Sequence, residues 1–297
     1  MTPEQQARLL RRATWASVIT AGVLIAAKLG AWLLTGSVSL LASLVDSLMD
    51  AGASLVNLMA VHYALQPADE QHRFGHGKSE ALAGLVQATF IAGSAVFLVF
   101  NAVDRLLHPV PLADLGVGIA VMLFAIVATL ALVALQRHTI RHTGSTAIRA
   151  DSLHYFTDLL TNLAIVAALL LSLLGWERVD ALFAILIAGY IFWSALGIGR
   201  EAFHVLMDRE LPPEVLEQVE ALARSQPEVR GVHNLRTRQS GLTKIIQLHL
   251  ELDAWLPLRE AHGVGKRVER DILEAFPGAD VTIHQDPREA DGSRSPW

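Results

Sequence analysis

"VDSLMD", residues 45–50, runs on as "AGASLVNLMA" to residue 60 and sets Asp46 and Asp50 one helical turn apart in a stretch otherwise apolar enough to cross a bilayer. The i, i+4 spacing puts both carboxylates on one helix face, about 6 Å apart along the axis. A carboxylate at the centre of a membrane span costs ~2.5–3.5 kcal/mol on insertion scales. Two in one span therefore need compensation from elsewhere in the chain.

The chain around this stretch has 297 residues, of which 52% are hydrophobic, and a mean hydropathy of +0.39. That value is high for a soluble domain and low for a protein made only of spans, so a membrane part joined to a soluble part is expected. Six apolar runs reach the ~20 residues a span requires: 14–34, 38–65, 79–103, 112–135, 147–174 and 179–199. The loops "LTGS", "LLHPVPLAD" and "LLGWER" are short and punctuated by Gly or Pro. The polar, basic start "MTPEQQARLLRR" reads as the lead of a retained first helix, because no persuasive small-residue cleavage site follows.

Lys and Arg set the orientation. Arg8, Arg11, Arg12, Arg73, Lys78, Arg137, Arg141, Arg149, Arg200 and Arg209 fall on one side, against Arg105 and Arg178 on the other. Six spans with that bias put both termini in the cytoplasm.

From about Asp208 charged residues become common and no run is long enough to span. "PPEVLEQVEALARS" has helical spacing with Pro at its start, and "VHNLRTRQ" and "TKIIQLHLELD" read as strands across an "SG" turn. A helix over 258–275 and a strand at "DVTIHQD" complete an αββαβ order, expected to form a small α+β sandwich. The expected division is a six-helix membrane domain over 1–207, a cytoplasmic domain over 208–290 and a disordered tail over 291–297.

Composition also limits the chemistry. The net charge of −5 is modest, and no long single-sign run points to nucleic acid. Cysteine is absent, which excludes disulfides, thiolate metal sites and thiol nucleophiles, so a metal site must draw on His, Asp and Glu. The fifth run supplies such residues in "DSLHYFTDLLTN", where His154 and Asp158 repeat the i, i+4 spacing of Asp46 and Asp50. No Lys or Arg of either span lies at matching depth. Two such helices side by side bring three carboxylates and one imidazole to one point, a four-coordinate set for a borderline divalent metal.

Other polar residues have plainer readings. Asn57, Asn101 and Asn162 suit interhelical hydrogen bonding. Lys28 either pairs with a carboxylate or snorkels in a structural role. In "DEQHRFGHGKSE", Asp69, His72 and His76 converge only if Gly75 and Gly77 bend the loop; otherwise they form a solvated face. In the soluble part, His284 and Asp286 share one strand face, His249 alternates with apolar neighbours, and His233 and His262 lie nearby in sequence.

Together, "SLLASLVDSLMDAGASLVNL", "FGHGKSEALAGL", "IRADSLHYFTDLLTN", "LMDRELP" and "VHNLRTRQSG" resemble the cation diffusion facilitators, and among them bacterial ferrous-iron and zinc efflux pumps. The likeness runs from about Arg11 to Asp286. It implies a tetrahedral transport site at Asp46, Asp50, His154 and Asp158, a loop metal site at Asp69, His72 and His76, and a binuclear cytoplasmic site at His233, His249, His262, His284 and Asp286. It also implies a metallochaperone-like cytoplasmic domain that pairs with its twin, a Lys78–Asp208 interlock between the domains, and a bacterial inner-membrane location.

The function expected is efflux of a divalent metal in exchange for protons by alternating access of a homodimer. The donor set suits zinc and cadmium and admits iron(II), whereas an all-oxygen site would favour manganese. An intramembrane metalloenzyme lacks support, since no H-E-x-x-H is present and four ligands would close the coordination shell. A metal-gated channel, or a membrane metal sensor without transport, is the alternative.

Overall fold

A computed structural model of the chain describes residues 1–36, 38–107, 116–172 and 179–289. Six long helices come first: α1 (Pro3–Thr35), α2 (Val38–Ala64), α3 (Lys78–Leu107), α4 (Gly116–Thr143), α5 (Thr146–Ser172) and α6 (Val179–Leu206). The first begins well before its apolar run. Thr2 caps it in a reciprocal capping box with Gln5, Pro3 occupies the first turn, and Gly36 closes it in the left-handed conformation with its N–H on the Trp32 carbonyl.

Among the described residues five helical segments are long and apolar enough to cross a membrane: Pro3–Thr35, Ser43–Ala64, Lys78–Asp104, Ala120–Thr143 and Ala184–Leu206. The expected fifth span, α5, is not among the five because the side chains of its second half, residues 164–172, lie outside the described residues. It is nevertheless held inside the bundle by contacts with α2, α3, α4 and α6. Two of the expected loops, at 108–115 and 173–178, and the expected disordered tail over 291–297 lie outside the described residues.

A polar network fixes α5. The fully buried Asp151 accepts from Ser17 Oγ of α1 at 2.6 Å, Gln136 Nε2 of α4 at 2.7 Å and Gln87 Nε2 of α3 at 3.4 Å. One turn on, the Tyr155 hydroxyl donates to the Ser17 carbonyl at 3.2 Å and lies 2.9 Å from Ser54 Oγ of α2. A buried carboxylate is tolerated only when its lone pairs are satisfied; here the donors come from three other helices, so the same bonds set the rotation of α5.

The soluble part contains α7 (Pro213–Arg224), β1 (Gly231–Ser240), β2 (Thr243–Asp253), α8 (Leu258–Ala275) and β3 (Asp280–Arg288). β2 is central, antiparallel to β1 and parallel to β3, with α8 as the crossover. Alternation decides its faces: Ile246, Leu248, Leu250 and Leu252 turn into a core with Val219, Val264, Val268 and Ile272 of the two helices. The other face of β2 carries Gln247, His249 and Glu251. A register irregularity between His233 and Arg236, with Asn234 at φ 51°, bends β1 beside that face.

The two parts meet at the end of α6. Lys78 Nζ lies 2.8 Å from Asp208 Oδ1, and Arg238 of β1 donates to Asp208 Oδ2 at 3.2 Å. The Leu211 N–H donates to Thr237 Oγ1 at 3.0 Å. Gly77 packs directly on the Ser240–Gly241 backbone, so close that a Cβ on Gly77 would overlap the Ser240 carbonyl.

Candidate metal centres

Three clusters of His and acidic residues bring ligand atoms within 4.8 Å of one another among the described residues. Each is built by a different local device.

The first lies between α2 and α5. His154 Nε2 is 2.9 Å from Asp50 Oδ1, and Asp158, one turn further along α5, completes the group. Asp50 and His154 are each 23% exposed. Asp46 lies one turn before Asp50, is exposed, and is not part of this group of three. Of its two expected roles Lys28 takes the structural one: its ammonium donates to Ser47 Oγ at 2.6 Å and the Ser43 carbonyl at 3.1 Å, tying α1 to α2. Asn57, expected to bridge helices, is buried with neither amide atom hydrogen-bonded. The Asn101 side chain lies outside the described residues.

The second is the loop before α3. Asp69 accepts from the backbone N–H groups of Gln71 at 2.9 Å and His72 at 2.6 Å, closing an Asx-type turn. Its carboxylate then lies 3.3 Å from His72 Nδ1 and 3.2 Å from His76 Nε2. The left-handed Gly75, at φ 78°, folds His76 back so that it is buried while Asp69 and His72 stay exposed. The His72 N–H, chiefly, holds the Asp69 carboxyl below the ordinary carboxylate range. Neither ring nitrogen of His76 makes a hydrogen bond, which leaves a buried lone pair for a metal. Tyr63 of α2, which the sequence did not single out, packs on His76 with ring centroids 4.3 Å apart.

The third occupies the polar face of the sheet. His249 Nδ1 lies 2.8 Å from Asp286 Oδ2, and His233 Nε2 lies 3.1 Å from the same oxygen. His284 Nε2 is 3.1 Å from Asp286 Oδ1 and is largely exposed. Register explains the convergence, since His233 faces His249 across β1–β2 and His249 faces His284 across β2–β3. Burial pushes the Asp286 carboxyl up, and the His249 hydrogen bond with the surrounding imidazoles outweighs it, leaving a net depression. His262, exposed at the start of α8, is not gathered into this group. Glu251 was missed as a neighbour: it lies 3.1 Å from His233 Nδ1 and 3.2 Å from the Arg288 guanidinium. Its place on the His249 face of β2 was the available clue.

Imidazole and carboxylate donors in threes fit a divalent cation of the zinc type, which would take up the lone pairs that His76 and His233 turn toward Asp69, Glu251 and Asp286.

Comparison with known proteins follows the same division. A family model described as the cation efflux transmembrane domain matches residues 14–207, and one described as the cation efflux protein cytoplasmic domain matches 211–288. The chain is 53% identical over 280 residues to the cation-efflux pump FieF of Klebsiella pneumoniae, covering 94% of this chain and 93% of that protein. Identity to FieF of Escherichia coli strain K12 / DH10B is 52% over the same length, with the same coverage. Among solved structures, the metal-bound C-terminal domain of the CzcD transporter from Thermotoga maritima is 25% identical, covers 25% of this chain and 87% of its own, and has a TM-score of 0.24.

Proposed function

The chain belongs to the cation efflux family of metal transporters, and on that premise we propose that it exports zinc from the cytoplasm in exchange for protons, as a homodimer in a bacterial inner membrane with both termini cytoplasmic. It is a transporter and not an enzyme. Iron(II) is the second candidate substrate and cadmium the third.

The observation that carries this reading is the meeting of Asp50, His154 and Asp158 from two helices far apart in sequence. In the proposed site Asp46 supplies the fourth ligand when metal is bound, through a modest turn of α2. A ligand must lose its proton before it can bind metal, so metal and protons compete for the same lone pairs. Histidine is the side chain whose ordinary range lies nearest working pH, which makes His154 the main exchanger. Because the site spans α2 and α5, any relative movement of these helices changes both its geometry and its access, as alternating access requires.

Asp69, His72 and His76 form a second binding point at the membrane surface. His233, His249, His262, His284 and Asp286 hold structural zinc in the cytoplasmic domain. His284 and His262 are exposed, as ligands facing a twin would be. The metal supplies a cross-link there, and the protein residues orient one another through Asp286. Lys78 and Asp208 transmit the position of that domain to α3 and α6.

The test is a competition transport assay in proteoliposomes with zinc, cadmium, iron(II) and manganese. Zinc should be carried first, with uptake rising with the imposed pH gradient. Flux independent of that gradient, with single-channel currents, would reverse the assignment in favour of a channel.

A further inference from the structure

A groove of about 470 Å³ opens between α4, α5 and α6, on the side of the bundle that carries the soluble domain. Its charge and its depth are graded together. Arg137 lies six residues before the end of α4, roughly 9 Å from that end at 1.5 Å per residue. Arg149, in the first turn of α5, is paired with Glu201 of α6. Phe156 lies ten residues into α5, roughly 15 Å deep, and with Tyr190 of α6 it forms the apolar floor, ring centroids 6.2 Å apart. A rim of guanidinium groups thus leads down to an aromatic floor.

The ion pair cancels Arg149 against Glu201, which leaves Arg137 as the net charge. Its guanidinium lies over the Phe156 ring, 4.9 Å from the centroid, and has no carboxylate partner among the described residues. Stacking fixes the guanidinium plane and leaves its N–H edge free for a planar or tetrahedral oxyanion. At headgroup depth beside an apolar slot, the oxyanion that fits is the phosphate of a membrane lipid, with an acyl chain lying along Phe156 and Tyr190.

We infer that this groove is a binding site for an anionic phospholipid from the leaflet on the soluble-domain side, with the phosphate on Arg137 and one chain wedged between α5 and α6. The consequence reaches the metal centre. Phe156 lies between His154 and Asp158 in sequence, on the same two turns of α5, so a lipid filling the groove braces the helix that supplies half of the ligands. Anionic lipid would then stiffen the arrangement on which exchange depends.

The experiment is native mass spectrometry of the delipidated full-length protein, titrated with phosphatidylglycerol or phosphatidylcholine. The wild type should retain phosphatidylglycerol in preference. R137Q should retain it about fivefold less, the effect of one basic charge at an anionic surface. Gly197→Leu is the second variant. Gly197 lines the groove and a Cβ there meets no atom within 4 Å, so the added side chain starts in open space, and phosphatidylglycerol retention should fall while the charge stays.

Equal retention by wild type and both variants would overturn the inference. So would displacement of the lipid by inorganic phosphate alone, which would assign the rim to a free anion. The chain has no cysteine, so Ser194→Cys reports directly on a second copy: cross-linking of two chains through this position in lipid would show the groove covered by protein, which also overturns it. Lipid retention is read without transport, so failure here leaves the transport reading standing, and failure of that reading leaves this one.

Discussion

His154 Nε2 stands 2.9 Å from Asp50 Oδ1, joining α5 to α2 across 104 residues of sequence. Neither helix owns the site. The i, i+4 pairs give each helix one ligand face, and the Asp151 network sets the rotation that turns the α5 face toward α2.

Removing one ligand charge while keeping shape should therefore cost more than loosening a supporting contact. Asp50→Asn and Asp158→Asn are expected to weaken zinc binding beyond the roughly 10–100-fold typical of lost outer-shell partners. Titration calorimetry gives the affinity, and circular dichroism checks that helix content is retained.

Asp46 differs from its neighbours because it is exposed and outside the group of three. Asp46→Asn should weaken zinc binding less than Asp50→Asn, since Asp50, His154 and Asp158 already converge without it. Binding indistinguishable from wild type would remove Asp46 from the ligand set.

The domain junction should be insensitive to pH over the working range. Burial pushes the Asp208 carboxyl up, but the hydrogen bond and charge of Lys78, with Arg238, outweigh it and hold Asp208 below the ordinary carboxylate range. The folded protein thus binds this proton less readily than the unfolded chain. The contribution is complete above the ordinary value of ~4 and is lost only as pH falls through the lower folded value. Protease sensitivity of the 207–212 segment should stay flat from pH ~8 to ~5 and rise in stronger acid; a rise near neutrality would contradict this.

Gly77 is constrained by contact rather than by conformation. Gly77→Ala would drive a methyl group into the Ser240–Gly241 backbone and should destabilise the junction by about 1–3 kcal/mol, as overpacking does. Thermal unfolding followed by a fluorophore on the soluble domain measures the loss.

In the soluble domain, His233→Ala should abolish metal-dependent compaction of the dimer, and chelation should expand the wild type to the same dimension. Small-angle scattering with and without zinc reads both. Unchanged compaction in the variant would place the structural metal elsewhere.

Much of this architecture was legible because periodicity is local. Residues 258–275 matched α8 to the residue, and β2 alternated cleanly from Ile246 to Leu252. The length of α1 was not, since polar residues 3–13 carry no apolar run, although Thr2, Pro3 and Gln5 hold a capping signature. Ligand faces could be read from i, i+4 spacing, but their meeting depends on helix rotation. That rotation rests on bonds such as Ser17 to Asp151, which span 134 residues and leave no short-range pattern. Tyr63 was hidden for the same reason: it joins its cluster only through tertiary contact.

The central claim is that metal bound between α2 and α5 leaves as protons enter through the same residues. Zinc flux and internal pH recorded together in proteoliposomes test it most directly. The wild type should move zinc and protons in opposite directions with matching time courses, and Asp46→Ala and Asp158→Ala should lose both signals. Normal coupled exchange in those two variants would contradict it.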